Sequence, residues 1–332
     1  MAKEKVTIIG PGRMGIGIAT ALLLSDRGLS ITLLDLKERP PGGEYDSLNR
    51  ARNEIESNLN LLNELGELKR PTKDVMEDVT LSRMPADAVT DSTFIFEALP
   101  ERREIKQDFI AGVEPFLGEK TIVASATSTI NLETFWEVSS RPENIITAHW
   151  LNPAFIIPLV EISIGQKTSQ WAAERAKTFF LEMGKIPVVI RDSPGFIVPR
   201  IQTAAMNEAV RIVEEGVATP EDVDTAIKSG FGFRLAVLGL IEFIDLGGLD
   251  ILYFASKFLY DKLGQSQYKP MKSVVEKMEK GEIGPRTGKG FFDYSGVDTE
   301  AMFERRYRGF LELLNLVKSS GSLDFKGGIR DR

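Results

Sequence analysis

The chain has 332 residues, 42% hydrophobic and 27% charged, and its 41 basic and 48 acidic residues give a formal charge of −7. That length suits two domains and that composition a soluble globular fold, while the acidic balance argues against a nucleic-acid or anionic-membrane partner, either of which needs a basic surface. The absence of cysteine excludes disulfides and thiolate chemistry, and a lone histidine, His149, excludes a multi-histidine metal site, so no metal centre is expected.

The first residues, "MAKEKVTIIG", pass from two lysines into an apolar run without the small-residue cleavage site of a signal peptide, and no apolar stretch reaches the ~18 residues of a membrane span. A cytoplasmic protein is expected. "VTIIG" (6–10) reads as a strand that runs straight into "GPGRMG", where Gly10, Gly12 and Gly15 match a dinucleotide-binding fingerprint at the opening of a helix, with Arg13 and Met14 in the same loop. In that pattern the first glycine makes the tight turn, the second lets the backbone approach a pyrophosphate, and the third packs helix against strand. The helix N-terminus then offers unpaired N–H groups to the phosphates.

"ITLLD" (31–35) is the second strand, and Asp35 at its end can accept hydrogen bonds from the adenosine ribose. An acid there repels a 2′-phosphate, which favours NAD over NADP, although Lys37 and Arg39 lie just beyond. FAD proteins share the fingerprint, but no further flavin signal is present. Over 44–68, Leu48, Ala51, Ile55, Leu59 and Leu62 recur at three- and four-residue steps, which predicts one or two amphipathic helices projecting from the sheet.

The strands resume at "TFIFEAL" (93–99), "KTIVAS" (120–125), "IITAHW" (145–150), "LVEIS" (159–163) and "PVVIRD" (187–192). Alternation of such runs with helical patterns predicts an α/β fold, a Rossmann-type doubly wound sheet. His149 stands at the C-terminal end of its strand, the edge where open sheets hold ligands. Glu161, inside the apolar "IIPLVEIS", needs a partner because burying an unpaired carboxylate costs several kcal/mol, and an imidazole suits it. A carboxylate on one ring nitrogen would fix the tautomer of a base that removes a hydroxyl proton while the carbon gives hydride to nicotinamide. Ser128, in "SATSTI", is a candidate to hold the substrate oxygen, and equally a cap or turn serine.

From "SPGFIVPRIQTAAMNEAVRIVEEG" onward the pattern is helical, punctuated at Gly216, Gly230, Gly232 and Gly247, so residues 191–318 are expected to form an all-α domain and 319–332 a loose tail. The apolar stretch 235–254 exceeds what one small domain readily hides, which points to a homodimer through this half.

The blocks "GPGRMG", "EALPE", "SATST", "HWLNPAFIIPLVEI", "DSPGFIVPR" and "GPRTGKGFFDY", in this order, resemble the 3-hydroxyacyl-CoA dehydrogenase family over about residues 4 to 295. The resemblance implies a Rossmann domain, a helical dimerisation domain, and NAD-dependent oxidation of an L-3-hydroxy group to a ketone. It implies that His149 is the base, Glu161 its partner and Ser128 the substrate-oxygen ligand, and that Glu101 and Lys106 line the nicotinamide side. Asn152 matches a position that is usually asparagine in the family.

Three departures bear on the substrate. The family's asparagine in "PGFIVxR" is here Pro199, with no side-chain donor or acceptor, and Asn207 is a conceivable substitute. Residues 44–68 carry Glu44, Asp46, Glu54, Glu56, Glu64 and Glu67 against Arg50 and Arg52, a poor surface for the phosphates of coenzyme A. "SGFGFRLAVLG" (229–239) is similar to members acting on substrates without CoA, among them L-gulonate 3-dehydrogenase (lambda-crystallin), carnitine dehydrogenase and a pyridine-carboxylate dehydrogenase, which carry a basic residue at the position of Arg234. Arg234 could hold a small carboxylate with two parallel hydrogen bonds, or form an interdomain or dimer salt bridge. The expectation is therefore an NAD-dependent dehydrogenase of a small, carboxylate-bearing alcohol. A 3-hydroxybutyryl-CoA dehydrogenase and a non-catalytic NAD-binding structural protein are the alternatives.

Overall fold

A computed structural model describes residues 3–320. Eight strands form one sheet: β1 (Glu4–Ile9), β2 (Leu29–Leu34), β3 (Val79–Ser82), β4 (Phe94–Glu97), β5 (Ile122–Ser125), β6 (Ile145–Trp150), β7 (Leu159–Ile164) and β8 (Ile186–Arg191). Their order is β3-β2-β1-β4-β5-β6-β7-β8, and every neighbouring pair is parallel except β6 and β7. The order reverses between β1 and β4, and at such a switch point the C-terminal strand ends leave a crevice for a ligand.

The strands read as unbroken apolar runs because helices cover both faces. Alternate residues supply the two cores: Val6, Ile8, Phe94, Phe96, Ile122 and Ala124 face one cluster, while Ile9, Ile95 and Val123 face the other. β3 has no counterpart among the strands expected from sequence. It is a four-residue edge strand, "VTLS", of which only Val79 is buried, too short and too polar to announce itself. The excursion before it is one helix, Asp46–Glu64, and its Leu48, Ala51, Ile55, Leu59 and Leu62 are all buried. Rather than projecting, the helix lays Leu48, Ala51, Ile55 and Leu59 on the main core together with Leu22 and Ile31.

The chain divides into compact units at Ala204/Ala205, inside the helix Val198–Glu214; residue 191 is the last of β8. The second unit contains no named strand among its described residues; its principal helices are Leu240–Gly247, Leu249–Leu263, Lys272–Glu279 and Thr299–Ser320. Ser319 and Ser320, expected in the tail, complete the last of these helices, and the rest of that tail lies outside the described residues. None of the described helices is long and apolar enough to cross a membrane.

Asp245 explains the block "GPRTGKGFFDY". It is buried, and its carboxylate accepts N–H bonds from Phe291 and Phe292, both at 2.9 Å, and an O–H bond from Tyr294 at 3.2 Å. A Cβ at Gly290 would lie 2.4 Å from Asp245 Oδ1, so only glycine lets the loop close on this anion. Asp245→Ala strands these donors and should cost about 2–3 kcal/mol. Thermal unfolding checks this, and an unchanged midpoint would contradict it.

Candidate functional site

The three fingerprint glycines divide the work as chemistry requires. Gly10 has φ +99°, and a Cβ there would meet Ala98 O at 2.6 Å; a Cβ at Gly15 would meet Gly10 O at 2.1 Å; at Gly12 it would meet nothing within 4 Å. Gly10 and Gly15 are therefore fixed by the protein itself, and Gly12 opens to the space a pyrophosphate would fill. No side chain caps the helix Arg13–Leu24, and its first turn has no acid, which leaves its N–H groups for an anion. Arg13 is exposed and Met14 half-buried beside them. Gly15→Ala forces a methyl onto a carbonyl and should weaken NAD binding about tenfold or more, equal to ~1.4 kcal/mol. A fluorescence titration with NADH measures this, and affinity within twofold of the native chain would contradict it.

Asp35 is buried and well supplied with donors: the Lys37 N–H reaches Oδ1 at 3.0 Å, and Arg39 reaches Oδ2 through Nε at 2.9 Å and Nη2 at 2.8 Å. Ser47 also donates to Oδ2, and Arg83 stands 3.3 Å from it. Burial would raise the pKa of Asp35, but the bonds from Ser47, Lys37 and Arg39 outweigh it and hold the carboxyl below its ordinary range. Oδ1, with one backbone bond, keeps acceptor capacity for a ribose hydroxyl. Beside it Leu36, Leu99, Pro100, Ile105 and Phe109 line a cavity of about 600 Å³ suited to adenine. Sequence reading passed over these residues; the available signal was the place of Leu36, Leu99 and Pro100 just beyond the ends of β2 and β4, whereas Ile105 and Phe109 lie on the helix Arg103–Val113. The set fits NAD, which supplies the hydride acceptor when bound.

His149 and Glu161 meet because β6 and β7 are antiparallel and place the two residues directly opposite. His149 Nδ1 lies 2.7 Å from Glu161 Oε2, and both residues are buried. Glu161 Oε1 accepts the backbone N–H groups of Ile197 at 2.9 Å and Val198 at 3.0 Å, at the start of the helix Val198–Glu214. With three donors on one carboxylate, Nδ1 carries the proton and Nε2 presents its lone pair. Phe196, at φ +45°, sets its ring 5.4 Å from the imidazole. An imidazole so held can accept a proton at Nε2. Pro199, at the second position of that helix, forgoes an N–H that has no intrahelical acceptor in any case.

The Ser128 loop is strapped to Glu101. Glu101 Oε1 accepts the N–H groups of Ser128 at 3.1 Å and Thr129 at 3.0 Å, the Thr129 hydroxyl at 2.9 Å, and the Thr127 hydroxyl. Burial alone would raise the pKa of Glu101; the Thr127 bond, the Lys106 charge and the Thr129 bonds outweigh it, leaving the pKa lowered. Lys106 is buried, 3.3 Å from Glu101 Oε2 and 2.8 Å from both oxygens of Glu97. Glu97 was missed in the sequence, although an acid inside "FIFEAL" is the same signal that exposed Glu161. On the far side of the loop, Asp192 takes the Leu132 N–H at 3.1 Å and the Ser163 hydroxyl at 2.9 Å.

Lys185 secures the loop that follows His149 by donating to the carbonyls of Ala154 at 2.6 Å and Ile157 at 3.0 Å, and burial lowers its pKa. Asn152 is exposed in that loop. Among the described residues no hydrogen bond joins Asn152 or the Ser128 hydroxyl to His149 or Glu161. Arg234 and the exposed Asn207 belong to the helical unit. The Arg234 guanidinium lies over the Phe243 ring, 5.2 Å from its centroid, and makes no ion pair among the described residues. The six acids and two arginines of 44–68 are all exposed.

The sequence matches the model of the 3-hydroxyacyl-CoA dehydrogenase NAD binding domain over residues 5–193 and that of the family's C-terminal domain over 195–294. It is 33% identical over 317 residues to 5-formyl-3-hydroxy-2-methylpyridine 4-carboxylate 5-dehydrogenase of Mesorhizobium japonicum, covering 95% of this chain and 98% of that one. It is also 33% identical over 298 residues to 3-hydroxybutyryl-CoA dehydrogenase of Bradyrhizobium diazoefficiens, covering 89% and 96%. Among solved structures, a 3-hydroxyacyl-CoA dehydrogenase of Archaeoglobus fulgidus is similar with TM-score 0.75 and 30% identity, covering 96% of this chain and 99% of that one. The crystal structure of a 5-formyl-3-hydroxy-2-methylpyridine 4-carboxylic acid 5-dehydrogenase, described as an NAD+-dependent dismutase, is similar with TM-score 0.70 and 31% identity, covering 95% and 99%.

Proposed function

Because this chain belongs to the 3-hydroxyacyl-CoA dehydrogenase family of NAD-dependent oxidoreductases acting on CH–OH groups, we propose that it oxidises the secondary 3-hydroxyl of a small, carboxylate-bearing substrate, not esterified to CoA, to a ketone. The observation that carries the chemistry is the His149–Glu161 pair: Nε2 takes the hydroxyl proton, the carbinol carbon gives hydride to NAD, and Glu161 stabilises the imidazolium that forms. The reverse reaction uses the same groups in the opposite sense. Ser128 is assigned to the substrate oxygen, Asn152 to the edge of the substrate site, and Arg234 to the carboxylate. Glu101 is assigned to the nicotinamide side, where it also fixes the backbone that carries Ser128, and the buried Lys106 is assigned there only through its charge on Glu101.

The choice of a free acid over a CoA ester is supported by the acidic exposed face of 44–68, by the absence of the family's asparagine at Pro199, by an arginine that lacks an internal carboxylate, and by similarity to a pyridine-carboxylate dehydrogenase. A second reading, a 3-hydroxybutyryl-CoA dehydrogenase, is favoured by the equal identity to the Bradyrhizobium enzyme. Screening free 3-hydroxy acids, sugar acids, carnitine-like alcohols and aromatic alcohols with NAD+, following NADH absorbance, tests the proposal. NADH is expected with a free acid and not with its amide; no turnover of any free acid would overturn it.

The same reading includes a homodimer and a cytoplasmic location. On the helix Leu249–Leu263, Ile251, Phe254 and Phe258 fall at three- and four-residue steps and are 63%, 61% and 60% exposed, a stripe wanting a partner. Light scattering should give twice the chain mass, and a monomer at micromolar concentration would contradict it.

A further inference from the structure

The helical unit contains a cavity of about 360 Å³ that its own residues line. Its walls are aromatic: Phe233 stacks with Phe310 at 6.1 Å between centroids, Phe303 stacks with Tyr307 at 6.3 Å, and Phe243 completes the set beneath Arg234. A five-residue π-helical segment, Ile227–Phe231, immediately precedes the stretch that supplies Phe233 and Arg234; such widened turns recur at functional sites.

Two guanidiniums face this space. Arg234 is flattened on Phe243 with no carboxylate in ion-pair reach among the described residues, so its donor edge is uncommitted. Arg306 is paired with Glu242 through Nη2, yet its Nε–H is buried without an acceptor. With Arg306 and Glu242 cancelling, the cavity carries one net positive charge from Arg234. Arg234 is exposed at the mouth of this space, and a planar guanidinium stacked on a ring binds a carboxylate edge-on through two parallel bonds. A purely aliphatic acid would leave the stacked ring pairs unmatched, whereas a flat ring offers them offset or edge-on contacts. The volume lies in the range of small-molecule sites and admits one ring with short substituents.

We propose that this cavity binds a monocarboxylate carried on a single aromatic ring, with Arg234 holding the carboxylate. The inference deepens the functional proposal and rests on it for the identity of the occupant: the substrate is then an aromatic hydroxy acid.

Calorimetric titration of the full chain, without NAD, with benzoate, benzamide and acetate tests it. Benzoate should bind saturably, and benzamide, which lacks the charge, and acetate, which lacks the ring, should each bind at least about tenfold more weakly. Arg234→Met should weaken benzoate by a similar factor while NADH affinity stays within twofold. Benzoate no tighter than acetate or benzamide would overturn the proposal, and so would undiminished binding to Arg234→Met. If benzoate does not bind and Arg234→Met instead dissociates an oligomer, the cavity belongs to a second copy of the chain, and the proposal is again overturned. These outcomes involve no turnover, so they are distinguishable from failure of the dehydrogenase reading, which shows only as absence of NADH from every hydroxy acid.

Discussion

His149→Gln should lower kcat by on the order of a thousandfold or more, the contribution expected of a positioned general base. Glutamine matches imidazole in approximate size and can still donate to Glu161, so the buried carboxylate keeps its partner. It has no nitrogen able to take a proton at neutral pH, and a thousandfold loss corresponds to about 4 kcal/mol of transition-state stabilisation. The NAD cradle at Gly10, Gly12, Gly15 and Asp35 makes no hydrogen bond to His149, so NADH affinity should stay within twofold. Loss of turnover with intact cofactor binding separates a chemical role from a structural one; kcat within tenfold of the native chain would defeat the assignment of His149 as base.

Glu161→Gln should be nearly as damaging to turnover and should also destabilise the fold. The carboxylate accepts three N–H groups, from His149, Ile197 and Val198, and an amide offers one acceptor oxygen and one donor nitrogen. If the oxygen keeps Ile197 and Val198, the amide nitrogen faces Nδ1, forces the proton onto Nε2, and leaves no lone pair to receive the substrate proton. Such a wrong tautomer costs on the order of ten thousandfold in kcat where the effect is known. If the amide flips, two backbone donors at the helix start go unpaired, at about 1–3 kcal/mol each. The expected outcome is a kcat loss of at least about a hundredfold, with a lowered unfolding midpoint. Native kcat and native stability together would contradict the geometry.

The site was legible in sequence where physical chemistry leaves a mark on residue type. An acid in an apolar run demands a partner, which pointed from Glu161 to His149. The same signal stood unused at Glu97 in "FIFEAL" and Asp245 in "LIEFID", which are buried and bonded to Lys106 and to the 291–294 loop. The buried strands were legible because both faces are covered. β3, four residues long at the edge, was not. What the sequence hid was bonding to backbone: Ile197 and Val198 hold Glu161 through N–H groups that every residue but proline owns, so no side-chain pattern betrays them. The stacking of Arg234 on Phe243 was hidden too, since it depends on how the 227–235 segment turns. The helix Asp46–Glu64 shows the remaining limit: its periodicity revealed the apolar stripe but not that the stripe joins the main core.

The central claim is that the family's NAD chemistry is directed here at a free hydroxy acid. Its most direct test is kcat/KM, measured with NAD+ on the purified protein, for the best free hydroxy acid beside 3-hydroxybutyryl-CoA. The free acid should exceed the CoA ester by at least about tenfold, a difference of ~1.4 kcal/mol in transition-state stabilisation. A CoA ester turned over as well as or better than every free acid would contradict it.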